Sequence, residues 1–192
     1  MRPMIIGITG TNGSGKGTVV DYLVTRKGFT HYAARDFLTA EVKRRGLEVD
    51  RSSMRTVANE LRETYEPSYV IKRLYEKALN DQCTKIVIES VRNIGEAEFL
   101  KSQGALLIAV DAPQQVRFER VQTRRSTTDQ VDLNTFVEHE EREMHPVGPH
   151  DMDIRGVMAL SHATIQNGGT LDELHIQIED VLNRILGKGT VL

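Results

Sequence analysis

The sequence predicts an α/β fold, a parallel five-stranded sheet flanked by helices. Two observations carry this. Short apolar stretches alternate with segments of helical spacing, the order that sets strands side by side in one sheet with helices on both faces. The first of these stretches, Met4-Ile5-Ile6, then runs into Gly-Ile-Thr-Gly-Thr-Asn-Gly-Ser-Gly-Lys-Gly-Thr at residues 7–18. That is a short buried strand, a glycine-rich turn and the start of a helix.

The elements follow in order. Residues 4–9 form the first strand. After the turn, residues 18–27 carry Val19, Val20, Leu23 and Val24 at helical spacing. Residues 29–33 read as a short second strand. Residues 36–45, 52–65 and 67–80 then make a long helical excursion, with Ser52 as an N-cap for its middle helix. The third strand is 85–89 (Lys-Ile-Val-Ile-Glu), the fourth 105–111 (Ala-Leu-Leu-Ile-Ala-Val-Asp) and the fifth 163–166. Residues 171–186 close the chain as an amphipathic helix with Leu171, Leu174, Ile178, Val181, Leu182 and Ile185 on one face. Residues 187–192 are expected to fray.

The 192 residues fit one domain, 1–192, with a sizeable core. Two insertions interrupt the alternation. Residues 34–82 are the place where a phosphate acceptor can be held. Residues 124–153 are polar, charged and nearly free of large aliphatic side chains, and read as a lid over a nucleotide. The formal net charge of -2 gives no global basic field for nucleic acid. Cys83 stands alone, which excludes an internal disulfide. No apolar run approaches the roughly 20 residues that span a bilayer, and no signal-peptide pattern opens the chain. A cytoplasmic protein with no membrane partner is expected, and oligomeric state is left open.

The turn is built for phosphate. Gly10, Gly13 and Gly15 allow conformations in which consecutive backbone N–H groups point at one anion. The positive end of the following helix adds to the attraction. Thr11, Asn12, Gly13, Ser14, Gly15, Lys16, Gly17 and Thr18 therefore form the expected nucleotide-binding run, with Lys16 reaching the outer phosphates and Thr18 serving magnesium. The expected cofactors are ATP and Mg2+. The bland alternative is a loop that merely joins strand to helix.

Phosphoryl transfer is mostly positioning and charge neutralisation, so arginines and magnesium-bearing carboxylates are the side chains to seek. Glu89 ends the third strand, on the edge where parallel sheets place ligands, and is expected to support the metal together with Thr18. Arg92 should rise from the same crevice and clamp an acceptor phosphate with its planar fork. Arg120 and Arg124 are four residues apart and share one helical face that can close on the transferring group. Arg117 and Arg125 extend the same cluster. Arg35 and Asp36 follow the second strand, and Arg35 is expected to help hold the acceptor. Asp36 can position an acceptor hydroxyl or join the magnesium shell, or it can cap the next helix. Arg55 and Arg62 lie in the acceptor-side helices, and one of them is expected to meet the acceptor. His139, His145 and His150 do not match a zinc spacing and receive no role.

With these residues in view, the chain resembles a P-loop kinase of the nucleotide-kinase superfamily. Gly-Thr-Asn-Gly-Ser-Gly-Lys-Gly-Thr at 10–18 resembles the adenylate kinase loop. Val-Ile-Glu-Ser-Val-Arg-Asn at 87–93 is similar to the Asp-Gly-x-Arg segment of small archaeal nucleotide-kinase-like proteins, with Glu89 in place of Asp. Ala-Thr-Ile-Gln-Asn-Gly-Gly-Thr-Leu-Asp-Glu-Leu at 163–174 is similar to the end of dephospho-CoA kinases, which puts Asn167 near the nucleotide base. The kinase-like part of some fungal deoxycytidylate deaminases has the same layout. The resemblance implies transfer of the γ-phosphate of ATP to a small nucleotide-like acceptor. A nucleoside monophosphate comes first and dephospho-CoA second. Thr39 stands where adenylate kinases carry the arginine that grips AMP, so the acceptor is open. The rival from another class is a nucleotide-sensing module without turnover. A GTPase switch lacks its guanine-reading Asn-Lys-x-Asp segment here.

Overall fold

The computed structural model describes residues 2–124 and 131–186. In chain order these form β1 (Met4–Gly10), α1 (Lys16–Lys27), β2 (Thr30–Ala33), α2 (Ala34–Arg44), α3 (Arg51–Thr64), α4 (Tyr69–Asn80) and β3 (Lys85–Glu89). Then follow α5 (Ile94–Ser102), β4 (Leu106–Asp111), α6 (Gln114–Thr123), α7 (Leu133–Met144), α8 (Ile154–Ala159), β5 (Ala163–Gln166) and α9 (Leu171–Leu186). The strands pair in the order β2-β3-β1-β4-β5, and every pairing is parallel. The chain leaves β1 for the edge strand β2, returns to β3, then crosses to β4 on the far side of β1. The loop after β1 thus lies at the point where the winding reverses, the usual ligand crevice of an open parallel sheet.

Alternation along the strands divides the core into two layers. Ile5, Ile86, Ile88 and Leu107 pack with Leu38, Val42, Val57, Leu61, Ile71 and Leu100 from α2 to α5. Ile6, Ile8, Val87, Ile108 and Ile165 pack on the opposite face with Val19, Val20 and Leu23 of α1 and Leu174, Ile178 and Val181 of α9. Leu174, Ile178, Val181 and Leu182 of the expected stripe seat the closing helix, whereas Leu171 is exposed. In register, Ile8 faces Glu89, and Ala33 faces Glu89 from the other side. The carboxyl ends of β1, β2 and β3 are level, so side chains at those ends share one rim.

All five expected strands form, with small shifts at their ends. Helix starts shift by one or two residues, and two candidate N-caps are not used. Asp50, not Ser52, caps α3, its carboxylate accepting from the Ser53 backbone N–H at 2.7 Å. The carboxylate is the better acceptor for an orphan N–H at the positive helix end. Asp36 does not cap α2 either. The helix begins two residues earlier at Ala34 with Ala33 at the N-cap position, and Asp36 sits within the first turn. The 124–153 stretch contains α7, and the segments that follow β3 and β4 are the helices α5 and α6. Residues 125–130, with Arg125, and 187–192 lie outside the described residues. Among the described residues no helix is long and apolar enough to cross a membrane.

Candidate active site

The turn between β1 and α1 has the geometry of an anion cradle. Gly13 has φ of +78° and Gly15 of +91°, in the left-handed region that glycine enters without strain. Neither could carry a side chain for a second reason. A Cβ on Gly13 would lie 2.3 Å from the Arg117 carbonyl oxygen, and one on Gly15 2.1 Å from Asn167 Nδ2. The loop is pinned from behind. Thr11 donates its hydroxyl to Asp111 at 2.7 Å. Asn167 Nδ2 donates to the Ser14 carbonyl at 2.8 Å, and Arg120 Nη1 donates to the Asn167 carbonyl at 2.8 Å. Lys16 is folded under the loop, where Nζ donates to the carbonyls of Gly10 at 3.0 Å and Thr11 at 2.7 Å. Burial, and then the charge of Arg92, lower its pKa to about 7, while Glu89 and Glu143 pull the other way. A lysine held at that cost gains a great deal from a polyanion brought beside it.

Across the crevice the turn after β3 carries Glu89, Ser90 and Arg92. Ser90 has φ of +72°, an uncommon conformation for a residue with a side chain. Both Ser90 and Val91 donate their N–H to the Ile8 carbonyl, at 3.0 and 3.1 Å. This tight turn presents Glu89 and Arg92 to the same cleft. Glycine at this position of the Asp-Gly-x-Arg pattern would hold the same turn without strain. Glu89 Oε2 lies 3.1 Å from His31 Nε2. Burial pushes the Glu89 carboxyl up, but the His31 contact and the charges of Lys16, His31 and Arg92 outweigh it and leave it lowered. Glu89 is thus an anion at neutral pH.

Glu96 fixes Arg92 from below. Its Oε2 accepts the backbone N–H of Arg92 at 2.9 Å and of Asn93 at 3.1 Å, as the second half of a capping box on α5. Its Oε1 accepts from Arg62 Nε at 2.9 Å and Nη2 at 2.8 Å. The Arg92 guanidinium meets Glu143 of α7, with Nη1 3.6 Å from Oε2. Arg51 donates to the other Glu143 oxygen, from Nε at 3.1 Å and also from Nη2. Burial pushes the Glu143 carboxyl up, but Arg92, Arg51 and Lys16 hold it down on balance, so it is ionised.

One cleft of about 1120 Å3 brings most of the expected residues together. Asn12, Gly13, Gly15, Lys16, Gly17 and Thr18 line one side, and Arg120, Arg124 and Asn167 lie beside them. Arg35, Asp36, Arg55, Glu89 and Arg92 line the other side. Four of the expected side chains are buried or engaged elsewhere. Thr11 and Ser14 are buried behind the loop, so they can offer a ligand only backbone N–H groups. Arg117 is buried against Phe136, bonded to the Ala112 carbonyl at 2.7 Å and paired with Glu140. Arg62 touches the cleft, but its guanidinium is engaged by Glu96, which leaves Arg55 as the acceptor-side candidate of that pair. From Phe136 onward the 124–153 stretch is tied down. Arg117 holds Glu140, Arg51 holds Glu143, and Asn59 and Asn93 bond Asp151 at 2.6 and 2.7 Å.

Sequence reasoning missed Arg51, Glu143, His31 and Glu96. For Glu96 a signal exists, because Asn93-x-x-Glu96 has the spacing of a capping box. His31 and Ala33 share a sheet face, and Ala33 pairs Glu89 in register, so a strand pairing would have put His31 within reach. Nothing local marks Arg51 and Glu143, which stand 92 residues apart.

Comparison with known proteins agrees with this fold. The family model described as AAA domain matches residues 6–147. A UPF0200 protein of Methanococcus maripaludis is 30% identical over 185 residues, covering 95% of this chain and 97% of that protein. A UPF0200 protein of Hyperthermus butylicus is 28% identical over 187 residues, covering 97% of each. Among solved structures, TT1252 from Thermus thermophilus aligns with a TM-score of 0.61 at 23% identity, over 96% of this chain and 98% of that one. Shikimate kinase from Acinetobacter baumannii, solved in complex with shikimate, gives a TM-score of 0.61 at 16% identity over 98% and 96%. The structural likeness is one of fold, that of P-loop kinases.

Proposed function

This chain belongs to the AAA domain family and to the UPF0200 proteins, and we propose that it moves the γ-phosphate of ATP to a small anionic, nucleotide-like acceptor. The observation that carries the reading is the pairing of a buried, glycine-cradled Lys16 with Arg51 and Arg92 across one cleft. A site for a single ligand needs about 300–1,000 Å3, and this cleft exceeds that range. A nucleotide-sensing module needs only the cradle, and it gives no reason for a second cationic wall opposite.

In this reading the loop N–H groups and Lys16 hold the β- and γ-phosphates. Arg92, with Arg35 or Arg55, holds the acceptor, and Arg120 and Arg124 approach the donor from α6. The acceptor oxygen attacks the γ-phosphorus, the bond to the β–γ bridging oxygen breaks, and ADP leaves with the electron pair. Asp36 can take the proton where the acceptor oxygen is a hydroxyl. Magnesium fits the donor set. Thr18 supplies a hydroxyl and Glu89 an ionised carboxylate on the same cleft. Magnesium is usually held by one or two carboxylates, waters and the substrate phosphates themselves, so the lack of a three-ligand acidic or histidine cluster among the described residues is compatible with it. When bound, the ion screens the charge of the phosphates.

A nucleoside monophosphate is the first acceptor class and dephospho-CoA the second. A coupled assay that follows ADP release from ATP tests both. The panel is the nucleoside monophosphates, dephospho-CoA and, because structural neighbours phosphorylate small non-nucleotides, shikimate. Turnover with one class and not the others fixes the acceptor. Tight ATP binding with no acceptor-dependent ADP release in any arm refutes the kinase reading in favour of the sensor.

A further inference from the structure

Glu143 reaches the cleft from α7, a helix in which sequence reasoning saw no chemistry. Its side chain is only 6% exposed, yet it is one of the cleft's lining residues. One carboxylate there faces two guanidiniums delivered by two other elements, Arg51 at the start of α3 and Arg92 from the turn after β3. The two arginines repel each other, and without an anion between them long cationic side chains would swing apart into water. Glu143 accepts from Arg51 through Nε and Nη2 on one oxygen. It meets Arg92 with the other, at ion-pair distance and not in a close hydrogen bond. Arg92 is 26% exposed, and besides Glu143 its guanidinium meets Met152 Sδ, 3.7 Å from Nη1. The guanidinium is therefore aimed by Glu143 without being consumed by it.

We propose that Glu143 is a positioning residue that holds Arg51 and Arg92 together as a two-arginine pocket for a phosphate or carboxylate group of the acceptor, and that it ties this pocket to α7. The proposal rests on the phosphotransferase reading of the cleft and deepens it, since it requires an acceptor that carries its own anionic group beside the oxygen it phosphorylates.

The opposite role, an internal anion that competes with the acceptor, predicts the opposite sign, and this makes the test decisive. The protein is saturated with a non-hydrolysable ATP analogue and magnesium, so the phosphate loop is filled. Inorganic phosphate is then titrated in by calorimetry. Glu143→Gln keeps the shape and removes the charge. It should weaken phosphate binding by about tenfold or more, while affinity for the ATP analogue stays within about twofold. Adding Glu143→Gln to a variant carrying Arg51→Ala and Arg92→Ala should change phosphate affinity no further, because Glu143 acts through those two side chains. Where Glu143→Gln does not fold, Glu143→Asp keeps the charge and shortens the reach, and should show the same selective loss. Unchanged or tighter phosphate binding in the folded variant overturns the proposal, as does the absence of phosphate binding in the loaded native protein. Failure of the native protein to bind the ATP analogue would defeat the phosphotransferase reading itself.

Discussion

Gly17 offers a test in which stability and activity should move in opposite directions. It is the second residue of α1 and lies outside the set of glycines with positive φ. A Cβ built on it meets nothing within 4 Å, whereas the Cβ atoms of Gly13 and Gly15 would strike backbone or the Asn167 amide. Folding therefore gives no reason for glycine here. Glycine in a helix costs about 0.5–1 kcal/mol relative to alanine, through the greater freedom of the unfolded chain. Gly17→Ala should stabilise the nucleotide-free protein by about that amount, which for a domain of this size raises Tm by about 1–4 °C. The added methyl group, however, projects from a residue that lines the cleft between Lys16 and Thr18. It should crowd bound phosphates and weaken ATP. The assay is thermal unfolding with and without ATP. A ligand at 100 times its Kd adds about 2.7 kcal/mol to a protein that binds it only when folded, and Gly17→Ala should show a clearly smaller gain. A lower Tm without nucleotide would mean that packing demands the glycine. An ATP-induced rise equal to that of the native protein would mean that the open space beside Gly17 is not ligand space.

Three further outcomes are expected. Lys16→Met should reduce turnover by orders of magnitude with the fold intact. It should also flatten a pH effect: folding lowers the Lys16 pKa from 10.5 to about 7, the unfolded chain holds the proton across that interval, and so native stability should rise with pH from 7 towards 10.5, several kcal/mol in all at about 1.4 kcal/mol per tenfold. Equal pH slopes for native and Lys16→Met in urea unfolding would contradict the burial of a strained cation. Glu96→Ala strips the partner from Arg62, which is 2% exposed, and orphans two backbone N–H groups; a loss of about 3–5 kcal/mol is expected by chemical denaturation, and a loss under about 1 kcal/mol would show that water reaches the pair. Ser90→Gly relieves a left-handed backbone worth about 1–2 kcal/mol, partly offset by glycine entropy, so unfolding should become harder by up to about 1 kcal/mol; a net loss would assign the Ser90 side chain a role of its own.

The glycine-rich cradle was legible because its geometry is local. Strand, glycines, lysine and hydroxyl occur within fifteen residues, and each residue type answers a requirement of phosphate binding at its own position. The strands were legible for a related reason: a parallel sheet covered on both faces needs continuous apolar runs, and those runs stand out against the polar helices. Where reading failed, competition decided the outcome. Ser52 is an acceptable cap, but Asp50 two residues earlier offers a charged acceptor to the same helix end. Arg117 looked like part of a basic face because arginine clusters in sequence. Its side chain instead found Glu140, a partner 23 residues away that no local rule reveals.

The same distinction explains why the acceptor side remained open. The cationic wall opposite the cradle is assembled from the start of α3, a strained turn after β3 and the end of α7, and the contact that joins Arg51 to Glu143 spans 92 residues. A nucleotide donor presents the same phosphates to every kinase of this fold, so its cradle can be written as a motif. An acceptor differs from enzyme to enzyme, and the residues that meet it come from whichever loops and helices the sheet carries to that rim. Proteins can therefore share this fold at 16% identity while the sites carried on it differ. The substrate of this chain is thus better sought from the charge arrangement of Arg51, Arg92 and Glu143 than from the fold.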